Sequence, residues 1–185
     1  MLCALFLFVG CNKDDDKISI EQTRQALFDM KAKYYGDLSA SFVNEPTNMA
    51  VFKNFSVSSA DSLIFMMPLD PIADAIADKE ISKSLKEIGE ERIAASYEFL
   101  QIDDNGRFVH FVLIPKNIKL EIKSTGDTKT KIITILLSDN YGGNFSKYAT
   151  SSSLIFNVSP NEIIVDGVKI EDFKPMVYHY EGTSE

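Results

Sequence analysis

From residue 92 onward the chain is a series of short apolar runs of period two, each closed by a turn signal, and few architectures accommodate that pattern. Asp103-Asp104-Asn105-Gly106 separates runs at 92–102 and 107–114. Asn and Gly tolerate the positive φ angles of a two-residue hairpin, so these runs are expected to pair antiparallel. Ile118, Leu120 and Ile122 alternate with Lys119, Glu121 and Lys123. Further runs lie at 131–138, 153–158, 162–165, 168–170 and 176–181, the third and fourth joined across Asp166-Gly167. Residues 108–114 are apolar on both faces, which places that strand centrally. The expected fold is β-rich α+β, an antiparallel meander forming a barrel or sandwich.

The first half adds helices. Ser19 and Gln22 form a capping box for a helix over residues 20–33, with Ile20, Thr23, Leu27 and Met30 on one face. Tyr34-Tyr35-Gly36 breaks that pattern. Leu38, Ala40 and Phe42 then alternate with Ser39 and Ser41, and a turn cluster at 44–48 leads into Val51, Phe55 and Val57. Ser58-Ser59-Ala60-Asp61 turns into a third strand at 62–67. Asp70-Pro71 is expected to cap a helical insertion, and Ile81, Leu85 and Ile88 make a second helical stripe ending at Gly89. Ser62-Leu63-Ile64-Phe65 recurs as Ser153-Leu154-Ile155-Phe156 without matching flanks, a repeated way of starting a strand.

Composition bounds the partners. A net charge of −8 with no Arg/Lys cluster gives no footprint for nucleic acid. The two cysteines, Cys3 and Cys11, both precede the folded body, so stability rests on burial, which 45% hydrophobic residues and 13 Phe can supply. Trp is absent, so sugar stacking would fall to Tyr.

Residues 2–9 are uninterrupted by charge, and eight residues span about 12 Å of helix, too short for a bilayer. Phe8-Val9-Gly10-Cys11 resembles the lipobox of a bacterial lipoprotein, which implies a signal peptide at 1–10 and acylation of Cys11. Lys13, Asp14 and Asp15 resemble the surface-export signal of Bacteroidota lipoproteins, and the same charges also suit a solvated tether at 11–18. Residues 19–185 then form one β-rich domain. With Tyr34-Tyr35-Gly36-Asp37-Leu38, the Ser-Leu-Ile-Phe strand and the helical insertion, the layout resembles an uncharacterised family of gut Bacteroidota lipoproteins. A helix followed by a glycine-led strand is also similar to the start of calycin (lipocalin-like) barrels. The resemblance implies an outer-membrane location, through lipid on Cys11, with the domain at the cell surface or on the periplasmic face.

No catalytic motif stands out. His110 and His179 lie far apart with no third ligand at zinc spacing, and His110 reads as a core or rim histidine. There is no nucleophile elbow, phosphate loop or zinc-helix motif. Aligning Asp103-Asp104-Asn105-Gly106 to a calcium loop puts Gln101 and Val112 at ligand positions, so the hairpin reading prevails. Glu87, Glu90 and Glu91 read as a solvated face. Neither an enzyme nor a cofactor is expected.

The best candidate for recognition is a long polar loop at 138–153, where Asn140, Tyr141, Asn144 and Tyr148 mix stacking and hydrogen-bonding groups suited to a glycan or a peptide. The leading expectation is a non-enzymatic ligand-binding lipoprotein. The alternatives are an accessory or structural subunit docking on an outer-membrane complex, through a strand edge or the Ile81/Leu85/Ile88 helix, and a calycin-like small-molecule binder with an open lumen.

Overall fold

The computed structural model describes residues 18–123 and 130–184, through the backbone alone at 46–49 and 123. The leader at 1–10, Cys11 and Lys13-Asp14-Asp15 lie outside the described residues. Helix α1 (Ile20–Met30) opens on the expected capping box: the Gln22 N–H donates to Ser19 Oγ at 3.1 Å, and the Ser19 N–H to Gln22 Oε1 at 2.8 Å. It ends three residues early because Ala32 already pairs with Ser59 in the sheet. Tyr34 secures that exit, donating its buried hydroxyl to the Met30 carbonyl at 2.9 Å. Its inward face is Ala26 and Met30, while Ile20, expected inward, is 79% exposed.

Strand β1 (Ala32–Phe42) therefore includes Tyr34-Tyr35-Gly36. Glycine is needed there, since a Cβ on Gly36 would lie 2.0 Å from the Glu181 carbonyl oxygen. The turn into β2 (Glu45–Ser59) is only Val43-Asn44, so the expected turn at 44–48 is mostly strand. Next come β3 (Leu63–Pro68), α2 (Asp70–Asp74), α3 (Lys79–Ile88), β4 (Glu90–Ile102) and β5 (Phe108–Pro115). Asp70 is the first residue of α2 and not its cap. Asp78, missed in the sequence, caps α3 by accepting from the N–H groups of Glu80 and Ile81. The chain continues as β6 (Ile118–Lys123), β7 (Thr130–Leu137), β8 (Gly142–Lys147), β9 (Ser152–Val158), β10 (Pro160–Val165), β11 (Val168–Lys169) and β12 (Met176–Ser184). Both glycine turns form, with positive φ at Gly106, Asp166 and Gly167.

The structure is strongly β-rich, and its strands pair antiparallel in two sheets. Eight strands pair in the order β1-β12-β9-β8-β5-β4-β3-β2, and β2 pairs in turn with β1. One seam is thin: β2 and β3 share only Ser58↔Ile64 and Ser59↔Leu63. Beyond Ser58 the pairing lapses, on a stretch of β2 that carries Asn54 at φ 55°. A hollow of about 650 Å³ opens there beside Phe52, Phe55, Met66 and Pro68.

One face of this sheet is dry. Tyr34, Leu38, Leu63, Phe65, Phe111, Phe145, Phe156, Tyr178 and Tyr180 are 0–3% exposed, so protein side chains fill the interior. The two Ser-Leu-Ile-Phe echoes meet in it, with the Phe65 and Phe156 rings 5.4 Å apart. Tyr178 donates to the Pro68 carbonyl at 2.8 Å, and burial pushes its hydroxyl pKa up. The remaining strands form a second sheet, β11-β10-β7-β6. Its buried face (Ile118, Leu120, Ile122, Ile133, Ile135, Ile163) joins the same apolar cluster as Ile72, Ile81 and Leu85 of the insertion. Lys131 on β7 holds Glu80 of α3 at 2.7 Å. Of the Ile81/Leu85/Ile88 stripe expected as a docking surface, Ile81 and Leu85 are buried, at 4% and 0% exposed, and Ile88 alone reaches solvent, at 37%.

Candidate functional site

Half of the polar segment expected to be a loop at 138–153 is sheet, with 142–147 in β8 and 152–153 opening β9. Gly142-Gly143 hides the alternation because two of its positions carry no side chain. A Cβ on Gly142 would come within 1.9 Å of the Phe111 carbonyl oxygen, and one on Gly143 within 1.8 Å of that of Ile155. The bare backbone thus lets β8 close against β5 and β9. Phe145 then points into the core at 0% exposure, and Asn144 points out.

On that outer face a groove of about 410 Å³ runs over β5, β8 and β9, a size that suits a small ligand. Gly142 and Gly143 lie at its floor, with His110, Asn144, Asn157 and Ile155 around them and Leu100, Asn140 and Tyr141 at its margins. His110 and Asn144 are register partners, and their Nδ1 and Oδ1 lie 2.8 Å apart. His179 and Asn157 repeat the pair on β12 and β9, again at 2.8 Å. An amide oxygen only accepts, so each imidazole donates through Nδ1. That leaves the Asn144 and Asn157 amide N–H groups free to donate to a ligand, and the His110 Nε2 to accept.

Asn140 and Tyr141 are held at the edge of this groove. The Asn140 N–H donates to Ser138 Oγ at 3.2 Å, and the Leu113 N–H to the Tyr141 carbonyl at 2.8 Å. Both residues also line a neighbouring hollow of about 430 Å³ with Val43, Ser138, Ser159, Asn161 and Pro175. Three of the four expected recognition residues are therefore gathered at one place. Tyr148 is not among them: it lies in the turn after β8, 61% exposed, at the far end of the strand. His110 and Asn157 are the residues sequence reasoning left out of the site. Only the cross-strand register brings them there, and a period-two pattern does not supply it.

The groove lining carries no Asp, Glu, Lys or Arg side chain, and its ionisable groups are the His110 imidazole and the Tyr141 phenol. Among the described residues no three His, Cys, Asp or Glu side chains are placed to hold a metal ion. Asp103 is spent on its turn, accepting from the Phe108 N–H at 2.9 Å, and Glu87 faces solvent beside Lys83. No helix among the described residues is long and apolar enough to cross a membrane.

No curated protein and no solved structure matches the chain. Residues 29–165 do match a family, from the last turn of α1 to the end of β10, a span that takes in every residue lining the groove and leaves β12 outside. The chain belongs to that family, described as Domain of unknown function (DUF4840).

Proposed function

We propose that this chain is a lipid-anchored envelope lipoprotein of the Bacteroidota type, displayed at the cell surface, that binds a neutral glycan without catalysing its turnover. The observation that carries the reading is the groove over β5, β8 and β9, which sets uncharged donors from Asn140, Asn144 and Asn157, the acceptor His110 and the ring of Tyr141 around a glycine floor. Hydroxyl-rich ligands match such donors and acceptors and need no countercharge. Acylation at Cys11 and export through Lys13, Asp14 and Asp15 complete the proposal. The finer fold assignment, a calycin-like barrel, rests on the ring of strand pairings, with β2–β3 its weakest link. Ligand uptake into an open lumen is not part of the reading, because aromatic side chains occupy that volume.

Titration calorimetry with a panel of neutral oligosaccharides tests the binding. A glycan bound by the native chain and not by Asn144→Ala supports the groove, and binding unaffected by Asn144→Ala and His110→Ala would refute it. Protease treatment of intact and permeabilised cells tests display, since protection until permeabilisation would move the domain to the periplasmic face. The accessory-subunit reading draws on the outer side of β5, where Phe108 and Ile114 are 38% and 46% exposed. Co-purification of an envelope protein, lost when those two residues are made polar, would favour it.

A further inference from the structure

Helix α1 turns toward solvent a face that is ill suited to water. At about 100° per residue, Ile20, Arg24 and Phe28 share one sector away from the buried Ala26 and Met30, with the half-buried Leu27 between the two. Ile20 is 79% exposed and Phe28 73%. Single exposed apolar residues are ordinary, but here they share one short helix face. Arg24 is the one charge within the sector, and Glu21 at its border is held to Arg24 at 3.0 Å. Where the helix ends, Lys31, Ala32, Lys33, Tyr35 and Thr183 line a hollow of about 570 Å³ with no carboxylate side chain in its wall. Lys33 Nζ sits 5.1 Å from the Tyr35 ring centroid. Apolar tips beside basic side chains are the composition of surfaces that lie on anionic bilayers.

Chain length says which surface this helix meets. Ile20 follows Cys11 by nine residues, a reach of at most about 30 Å when fully extended. A domain of this size is about 40 Å across, so the tether is too short to bring its opposite end to the anchor's bilayer. Resting on the lipid-anchor reading above, we propose that the outer face of α1 and the Lys31/Lys33 hollow lie on the membrane that holds Cys11. Ile20 and Phe28 enter the headgroup boundary, and the two lysines meet lipid phosphates. The orientation also serves the groove. Lys147, at one end of β8, is bonded to Asp29 of α1, while Gly142 lies at the other end, about 17 Å along the strand from that contact.

The chain contains no Trp, so a single introduced Trp reports one place. The lipidated protein would be reconstituted in phosphatidylcholine/phosphatidylglycerol vesicles carrying nitroxide-labelled lipid, with Phe28→Trp and Ile20→Trp as reporters and Val43→Trp in the β1–β2 turn as the distal control. Expected is a blue-shifted emission, quenched by the nitroxide, for the two helix reporters and neither change for the control. Adding Lys31→Glu with Lys33→Glu, or raising the salt, should relieve much of that quenching. Helix reporters that behave like the control, on a chain whose Cys11 carries acyl groups by mass spectrometry, would overturn the membrane face and leave the anchor standing. A Cys11 without acyl groups would remove the anchor and the face together.

Discussion

Adjacent residues on the strands of the larger sheet meet opposite surroundings. In β5, Phe111 is sealed in the core while His110 stands at the rim of the groove; in β8 the pair is Phe145 and Asn144; in β12, Tyr178 and Tyr180 flank the exposed His179. The inner set is large, aromatic and closely packed. The outer set is polar, and its hydrogen bonds run across neighbouring strands, His110 to Asn144 and His179 to Asn157. On the proposed function the two sets carry separable burdens, folding on one side and recognition on the other, at a separation of one residue.

The largest expected effect tests the inner side. Phe145→Ala removes a fully buried ring at the centre of β8, and large-to-small changes of that kind cost about 3–5 kcal/mol. Urea denaturation followed by circular dichroism would measure it, and a loss under about 1 kcal/mol would mean that the packing is not as tight as its burial implies. Gly143→Ala comes next. Its Cβ would sit 1.8 Å from a backbone oxygen, which no side-chain rearrangement relieves, so β8 must shift at a cost of about 1–3 kcal/mol. That variant should also weaken ligand binding, because the floor of the groove moves with the strand.

How much of this was legible follows the same division. The inner face repeats every second residue, so most of its strands, and both glycine hairpins, stand out in the sequence. The exception is β8, where Gly142 and Gly143 contribute no apolar side chain to the pattern and the polar neighbours resemble a loop. The boundary of α1 was misplaced because sheet pairing at Ala32 overrides helical spacing, and the Asp78 cap was missed because it lies between two short helices. For the site, Asn140, Tyr141 and Asn144 stood out as a cluster close in sequence. His110 and Asn157 did not, because they join it through β5–β8 and β8–β9 register, a long-range property.

Alkaline pH distinguishes the two sides without mutation. Burial raises the hydroxyl pKa of Tyr34, Tyr97, Tyr178 and Tyr180. A folded-state pKa above the unfolded value of about 10 gives stability that is complete below pH 10 and is lost as pH rises beyond it. Ionisation of these four hydroxyls, followed by ultraviolet absorbance, should therefore coincide with loss of the sheet signal. Ionisation with the sheet intact would show that water reaches the interior.

The smallest effect on stability carries the most functional weight. Asn144→Ala deletes a partly exposed side chain whose described bond is to His110, and such surface changes usually alter stability by less than about 0.5 kcal/mol. The same change removes an amide donor from the groove and frees the His110 imidazole to turn. Unfolding that stays within that margin, together with loss of glycan binding, would separate recognition from folding at a residue whose neighbour, Phe145, does the reverse. A large stability loss at Asn144 would mean instead that the His–Asn pairs are part of what holds the sheet together, and the two faces would no longer be independent.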